Sequence, residues 1–112
     1  MFAALAEAPL EQCGIAYLDP EWRLLGLRYS PSGRADGVAV PLRDIVRDVL
    51  ALEAAAVVLA HNHPGGDPAP SEADLAVTRR LLHALDALDV RLVDHVVLAG
   101  VRWSSMRALG LL

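Results

Sequence analysis

Ala55-Ala56-Val57-Val58-Leu59-Ala60-His61-Asn62-His63-Pro64-Gly65-Gly66 decides how the chain folds. Its first six residues are an uninterrupted apolar run that reads as a buried strand. Side chains at i and i+2 of an extended chain share a face, so His61 and His63 can converge on one ion. The Pro/Gly-rich segment through Pro70 turns the chain back. Ser71-Glu72-Ala73-Asp74 then opens a helix, with Asp74 in its first turn, eleven residues after the second histidine. Two imidazoles, one carboxylate and an open fourth position form the ligand set of a catalytic zinc site, because a structural site is closed by a fourth protein ligand. These residues point to a metal hydrolase.

Outward from that stretch, the pattern alternates between strands and helices. Upstream, Gln12 to Asp19 reads as a strand, Asp19-Pro20-Glu21 as a turn and Trp22 to Tyr29 as a second strand of a hairpin. Loop chemistry follows from Ser30 to Gly37, then a short strand at Val38 to Val40. Pro41 suits the first turn of a helix, and Leu42, Ile45, Val46, Val49 and Leu50 form its apolar stripe. Downstream, a helix is expected from about Ser71 to Leu88, with Leu75, Thr78, Leu81/Leu82, Leu85 and Leu88 facing inward. Val90 to Leu98 and Val101 to Ser104 read as strands. The order β-β-β-α-β-α-β-β predicts an α/β (α+β) fold, a mixed sheet flanked by helices. Function is expected where strand ends meet helix starts, which is where the His61–Asp74 loop lies.

At 112 residues the chain is expected to be one domain, 1–112, with residues 1–10 as a lead-in. The apolar runs are well short of the ~20 residues a membrane span needs. The N-terminal residues lack a basic segment before their first acid, which argues against a secretory signal. The single cysteine, Cys13, excludes an internal disulfide framework and fits a reducing cytoplasm. All ten basic residues are arginines, scattered against a formal net charge of −4. Sequence-independent nucleic-acid binding needs concentrated positive charge, so autonomous DNA binding is disfavoured.

Other readings compete at the site. Ser-x-x-Asp before an apolar helical run also reads as a capping box, with no ligand role for Asp74. His95, inside an apolar strand, reads as a core or outer hydrogen-bonding residue rather than a ligand. Asp94 has no place that the sequence can assign. His83 lies too far along its helix to share the ion. Cys13 reads as an inert buried thiol, and Trp22 and Trp103 as core or sheet-edge residues. The tripeptide His61-Asn62-His63 is not an HNH nuclease, whose name refers to dispersed residues. Metallo-β-lactamase-like hydrolases want an acid and a third histidine where this chain has Pro64-Gly65. A zinc deaminase wants a glutamate two residues after its histidine and a later Cys-x-x-Cys.

His-x-His, seven residues and then Ser-x-x-Asp resembles the JAMM motif of the MPN metallopeptidases. The text around it, Leu59 to Pro68, Pro70-Ser71, Thr78-Arg79-Arg80-Leu81 and Val93-Asp94-His95, is similar to the bacterial RadC family from about Glu11 to Leu112. The resemblance implies a JAB/MPN (cytidine-deaminase-like) architecture and one Zn²⁺ held by His61, His63 and Asp74. It further implies Glu11 as general base, with Glu7 as its rival, and Ser71 as a donor to the oxyanion. The implied substrate is a peptide or isopeptide. The alternative is a non-catalytic domain acting through partners in DNA repair or recombination; DNA hydrolysis at the same metal lacks a basic track. Family members commonly carry Ser where this chain has Gly65, and full-length members carry an N-terminal helix-hairpin-helix-like region. The chain is therefore expected to be a stand-alone copy or a piece cut to the catalytic domain.

Overall fold

The apolar runs around Ile15 and Val57 become the inner strands of a five-stranded sheet. The computed structural model describes residues 2–6, 10–31 and 40–112. Its elements are α1 (Ala3–Ala6), β1 (Gln12–Leu18), β2 (Leu24–Pro31), α2 (Leu42–Leu52), β3 (Ala56–Asn62), α3 (Glu72–Asp86), β4 (Arg91–Ala99) and β5 (Arg102–Ser105). The strand order is β2-β1-β3-β4-β5. β1 is antiparallel to β2 and β3, β3 is parallel to β4, and β4 is antiparallel to β5. The expected mixed sheet with flanking helices is the fold that forms.

β1 and β3 are covered on both faces, which is why they read as apolar runs and not as alternating patterns. On one face Cys13, Ile15, Tyr17, Val57, Leu59 and Leu92 pack with Ile45 and Val49 of α2 and with Leu81 and Leu85 of α3. On the other, β1 presents small residues to the N-terminal segment. A Cβ at Gly14 would come within 2.8 Å of the Phe2 ring, so only glycine admits that ring there. Tyr17 also anchors α2 through its phenol, which donates to Asp48 Oδ2 at 2.6 Å. Arg28 of β2 grips the same carboxylate at 2.5 and 2.9 Å. The Arg28 guanidinium holds the Asp48 carboxyl below its usual range.

Several expected boundaries move for local reasons. The hairpin turn extends to Arg23 because the Asp19 carboxylate accepts from the backbone N–H groups of Glu21 (2.8 Å) and Arg23 (2.9 Å). Trp22 is therefore a turn residue with φ of 65°, not the start of β2 and not core. Its exposed ring lies 5.9 Å from the Arg91 guanidinium carbon. Trp103 does sit on an edge strand. Leu50 is 62% exposed and leaves the expected α2 stripe. At about 100° per residue it points well away from the Ile45–Val49 direction. α1 was not anticipated. The short strand expected over residues 38–40 falls largely outside the described residues, and Val40 itself is not in a strand. Glu7 also lies outside them.

Candidate metal centre

β3 continues two residues past its apolar run and carries His61 and Asn62. The N–H of His63 donates to the Leu98 carbonyl of β4 at 2.7 Å, so the extended path persists and both imidazoles stay on one side. The chain then turns: the N–H of Gly66 reaches the His63 carbonyl at 3.0 Å, and Gly66 has φ of 89°, a conformation that suits glycine. Ser104 of β5 fastens the loop by donating to the Pro68 carbonyl at 2.6 Å. A Cβ at Gly65 would meet nothing within 4 Å, so this position imposes no steric demand on the site.

Ser71 caps α3. Its Oγ accepts from the N–H of Asp74 at 3.1 Å, and Asp74 Oδ2 accepts from the N–H of Ser71 at 2.7 Å. The capping box is therefore real, and the same geometry aims the Asp74 carboxylate at the histidines. Oδ1 lies 3.2 Å from His61 Nε2 and Oδ2 lies 3.3 Å from His63 Nε2. The two Nε2 atoms are 2.8 Å apart. Glu11, immediately before β1, completes the group: one potential ligand atom from each of Glu11, His61, His63 and Asp74 lies within 4.8 Å of the others. Four of the five residues singled out from the sequence thus converge, and Ser71 borders them through its cap.

Proton accounting shows what this arrangement can hold. His63 Nδ1 faces the Asp67 carbonyl at 2.7 Å. A carbonyl only accepts, so Nδ1 carries a proton, and in the neutral ring Nε2 presents a lone pair. A second relay sets His61. The Thr78 hydroxyl donates to the Asp74 carbonyl at 2.7 Å and lies 2.5 Å from His95 Nδ1. His95 Nε2 lies 2.6 Å from His61 Nδ1. Burial pushes the His95 pKa down to about 3, so that ring is neutral and carries one proton. With Thr78 committed to the carbonyl, we assign the His95 proton to Nδ1. His61 then donates from Nδ1, so the neutral form of its ring turns the Nε2 lone pair toward Asp74.

With both rings neutral, two imidazole lone pairs face two carboxylate oxygens, an arrangement that only a cation or a shared proton relieves. Asp74 Oδ1 is buried and has no hydrogen-bond partner among the described residues. Burial pushes the Asp74 carboxyl up, but positive charge at the adjoining His61 ring and the Ser71 backbone N–H hold it well below the usual carboxylate range, so the pocket favours a cation or a proton beside Asp74. A buried, ionised acceptor set of this kind fits a cation. Two-nitrogen, one-oxygen coordination is what His61, His63 and Asp74 can supply.

The relay residues were not legible as such. Thr78 read only as part of a helical stripe, although its hydroxyl ties the Asp74 backbone to His95, the ring that touches His61. His95 takes the outer hydrogen-bonding role, through pairing that brings it beside Leu59 of β3. Asp94 does not reach an imidazole. Its carboxylate accepts from the N–H groups of His95 and Arg107 and from Ser105 Oγ, pinning β4 to β5. Cys13 is fully buried, and burial raises its thiol to about 11. His83 is exposed on α3 and outside the cluster.

Loss of the relay should be visible in metal affinity without any substrate. If the cluster holds zinc through His61, Thr78→Val or His95→Gln is expected to weaken its binding about 10- to 100-fold, the usual cost of removing a partner that orients a ligand imidazole. Competition against a chromogenic chelator checks this. Unchanged affinity in both variants would mean that the relay does not orient His61.

A mixed sheet with His-x-His ending one strand and an acid in the first turn of the next helix defines a JAB/MPN-type domain. The model of the RadC-like JAB domain matches residues 1–111, and the chain belongs to that family. Among similar relatives is a UPF0758 protein of Bordetella avium, 44% identical over 109 residues, or 97% of this chain and 48% of the relative. A UPF0758 protein of Rhodobacter capsulatus is 43% identical over 109 residues (97% and 51%). One from Alcanivorax borkumensis is 41% identical over 108 residues (96% and 48%). The chain spans about half the length of these relatives. No described helix is long and apolar enough to cross a membrane.

Proposed function

We propose that this chain is a zinc-dependent hydrolase of the JAMM type, a metallopeptidase or isopeptidase working as one RadC-type domain. The observation that carries the reading is the convergence of His61, His63 and Asp74, with a further carboxylate, Glu11, within 4.8 Å of them. JAB domains include hydrolases. Zinc held by His61, His63 and Asp74 would supply Lewis acidity and a water with its pKa lowered to ~7. Glu11 accepts a proton from the water that attacks the substrate carbonyl. It returns that proton to the leaving nitrogen as the C–N bond breaks. The Ser71 cap uses a lone pair of Oγ and not its proton, so the hydroxyl can still donate to the developing oxyanion.

Metal analysis of the dialysed protein, paired with a screen of fluorogenic peptides and isopeptides, tests this reading. The expected result is about one zinc per chain, the stoichiometry of a single three-ligand site, with hydrolysis abolished by a chelator and restored by zinc. Failure to take up zinc even when it is supplied would sink the hydrolase reading and favour a partner-binding domain.

A further inference from the structure

Asn62 lies between the two histidines, and strand alternation turns its side chain to the opposite side. It is 1% exposed. Register pairing of β1 with β3 runs from Leu18↔Ala56 to Cys13↔His61. At the next rung the Asn62 side chain takes over from the backbone ladder. Its Oδ1 accepts from the N–H of Gln12 at 2.6 Å, and its Nδ2 donates to the carbonyl of Leu10 at 3.0 Å. These two groups belong to the two peptide units that flank Glu11. One planar amide therefore holds both backbone planes on either side of the Glu11 Cα.

We propose that Asn62 is a positioning residue for Glu11, coupling the location of the proton acceptor to the strand that carries His61. The inference rests on the reading of Glu11 as general base. The two bonds need a donor and an acceptor on one short side chain. Aspartate keeps the bond from Gln12 but cannot donate to Leu10; alanine loses both. Leu10 is 74% exposed, so its own side chain contributes little packing to hold Glu11 in place.

The test uses the full chain loaded with zinc, comparing wild type, Asn62→Ala, Asn62→Asp, Glu11→Gln and the double variant Glu11→Gln/Asn62→Ala. In Asn62→Ala, zinc content is expected to stay at the wild-type value. On a peptide that wild type cleaves, kcat should fall roughly 10- to 100-fold with KM little changed, as for a misplaced catalytic group. Adding Asn62→Ala to Glu11→Gln should cost almost nothing further, and Asn62→Asp should fall between wild type and alanine. Equal losses from Asn62→Ala in both backgrounds would overturn the proposal, because a general packing defect acts whether or not the base is present. NMR of the Glu11 side chain supplies a readout that needs no substrate. Order lost in Asn62→Ala and partly kept in Asn62→Asp supports positioning even if no peptide is cleaved, an outcome that removes the hydrolase reading alone. Unchanged Glu11 order in Asn62→Ala overturns positioning whatever the activity.

Discussion

Asp74→Ala is expected to take zinc content from about one ion per chain, the stoichiometry of a single three-ligand site, to none. The argument begins with ligand count. Three protein groups leave one position open in a catalytic zinc site, and removing one of them leaves only two imidazoles. Removing a mere outer partner already costs 10- to 100-fold in affinity, so losing a first-contact carboxylate should cost well over about 10²-fold. A competing reading gives Asp74 only its capping role. Under that reading, alanine costs about 1 kcal/mol of stability through the lost cap and leaves zinc untouched. Asp74→Asn separates the two, because its amide oxygen can still accept from the Ser71 N–H while the negative charge facing His61 and His63 is gone. Mass spectrometry of dialysed samples and thermal melts on the same material check both. Stability near wild type with zinc lost from Asp74→Asn assigns the carboxylate to the ion. Zinc retained at the wild-type level in both variants would remove Asp74 from the ligand set.

The candidate ligands were legible because they obey short-range rules. His61 and His63 follow from a two-residue period at the end of a run that had to be a strand, and Asp74 from a helix start whose cap is written in Ser71. Residues set by pairing between distant segments were less visible. Glu11 enters the cluster only because β1 lies antiparallel to β3, and composition does not reveal which strands are neighbours. Asn62 carried no signal of its own in the sequence, since the partners of its amide lie fifty and fifty-two positions away. His95 and Thr78 meet across the parallel β3–β4 pair and the helix that connects it. Trp22 was misplaced for the opposite reason: a purely local carboxylate turn at Asp19 displaced the β-propensity of the tryptophan.

Glu11→Gln is expected to lower kcat about 10²- to 10⁴-fold, the range for loss of a positioned general base, while zinc content and melting temperature stay near wild type. Glutamine has the same shape and keeps the backbone groups that Asn62 grips, so the segment should remain in place. What it lacks is a carboxylate able to accept a proton at the pH of the reaction. Glu11 is half-buried and within 4.8 Å of the other three groups, close enough to reach a water held among them. It is not needed as a ligand, since two nitrogens and the Asp74 carboxylate supply the three protein positions. If Glu11 were a solvated acid at the edge of β1, glutamine would change the rate less than about twofold, as for ordinary surface substitutions. If it were a fourth ligand, zinc affinity would fall in parallel with the rate. Measuring kcat and zinc affinity on the same preparations separates all three roles. Only a large rate loss at constant zinc affinity assigns Glu11 to proton transfer.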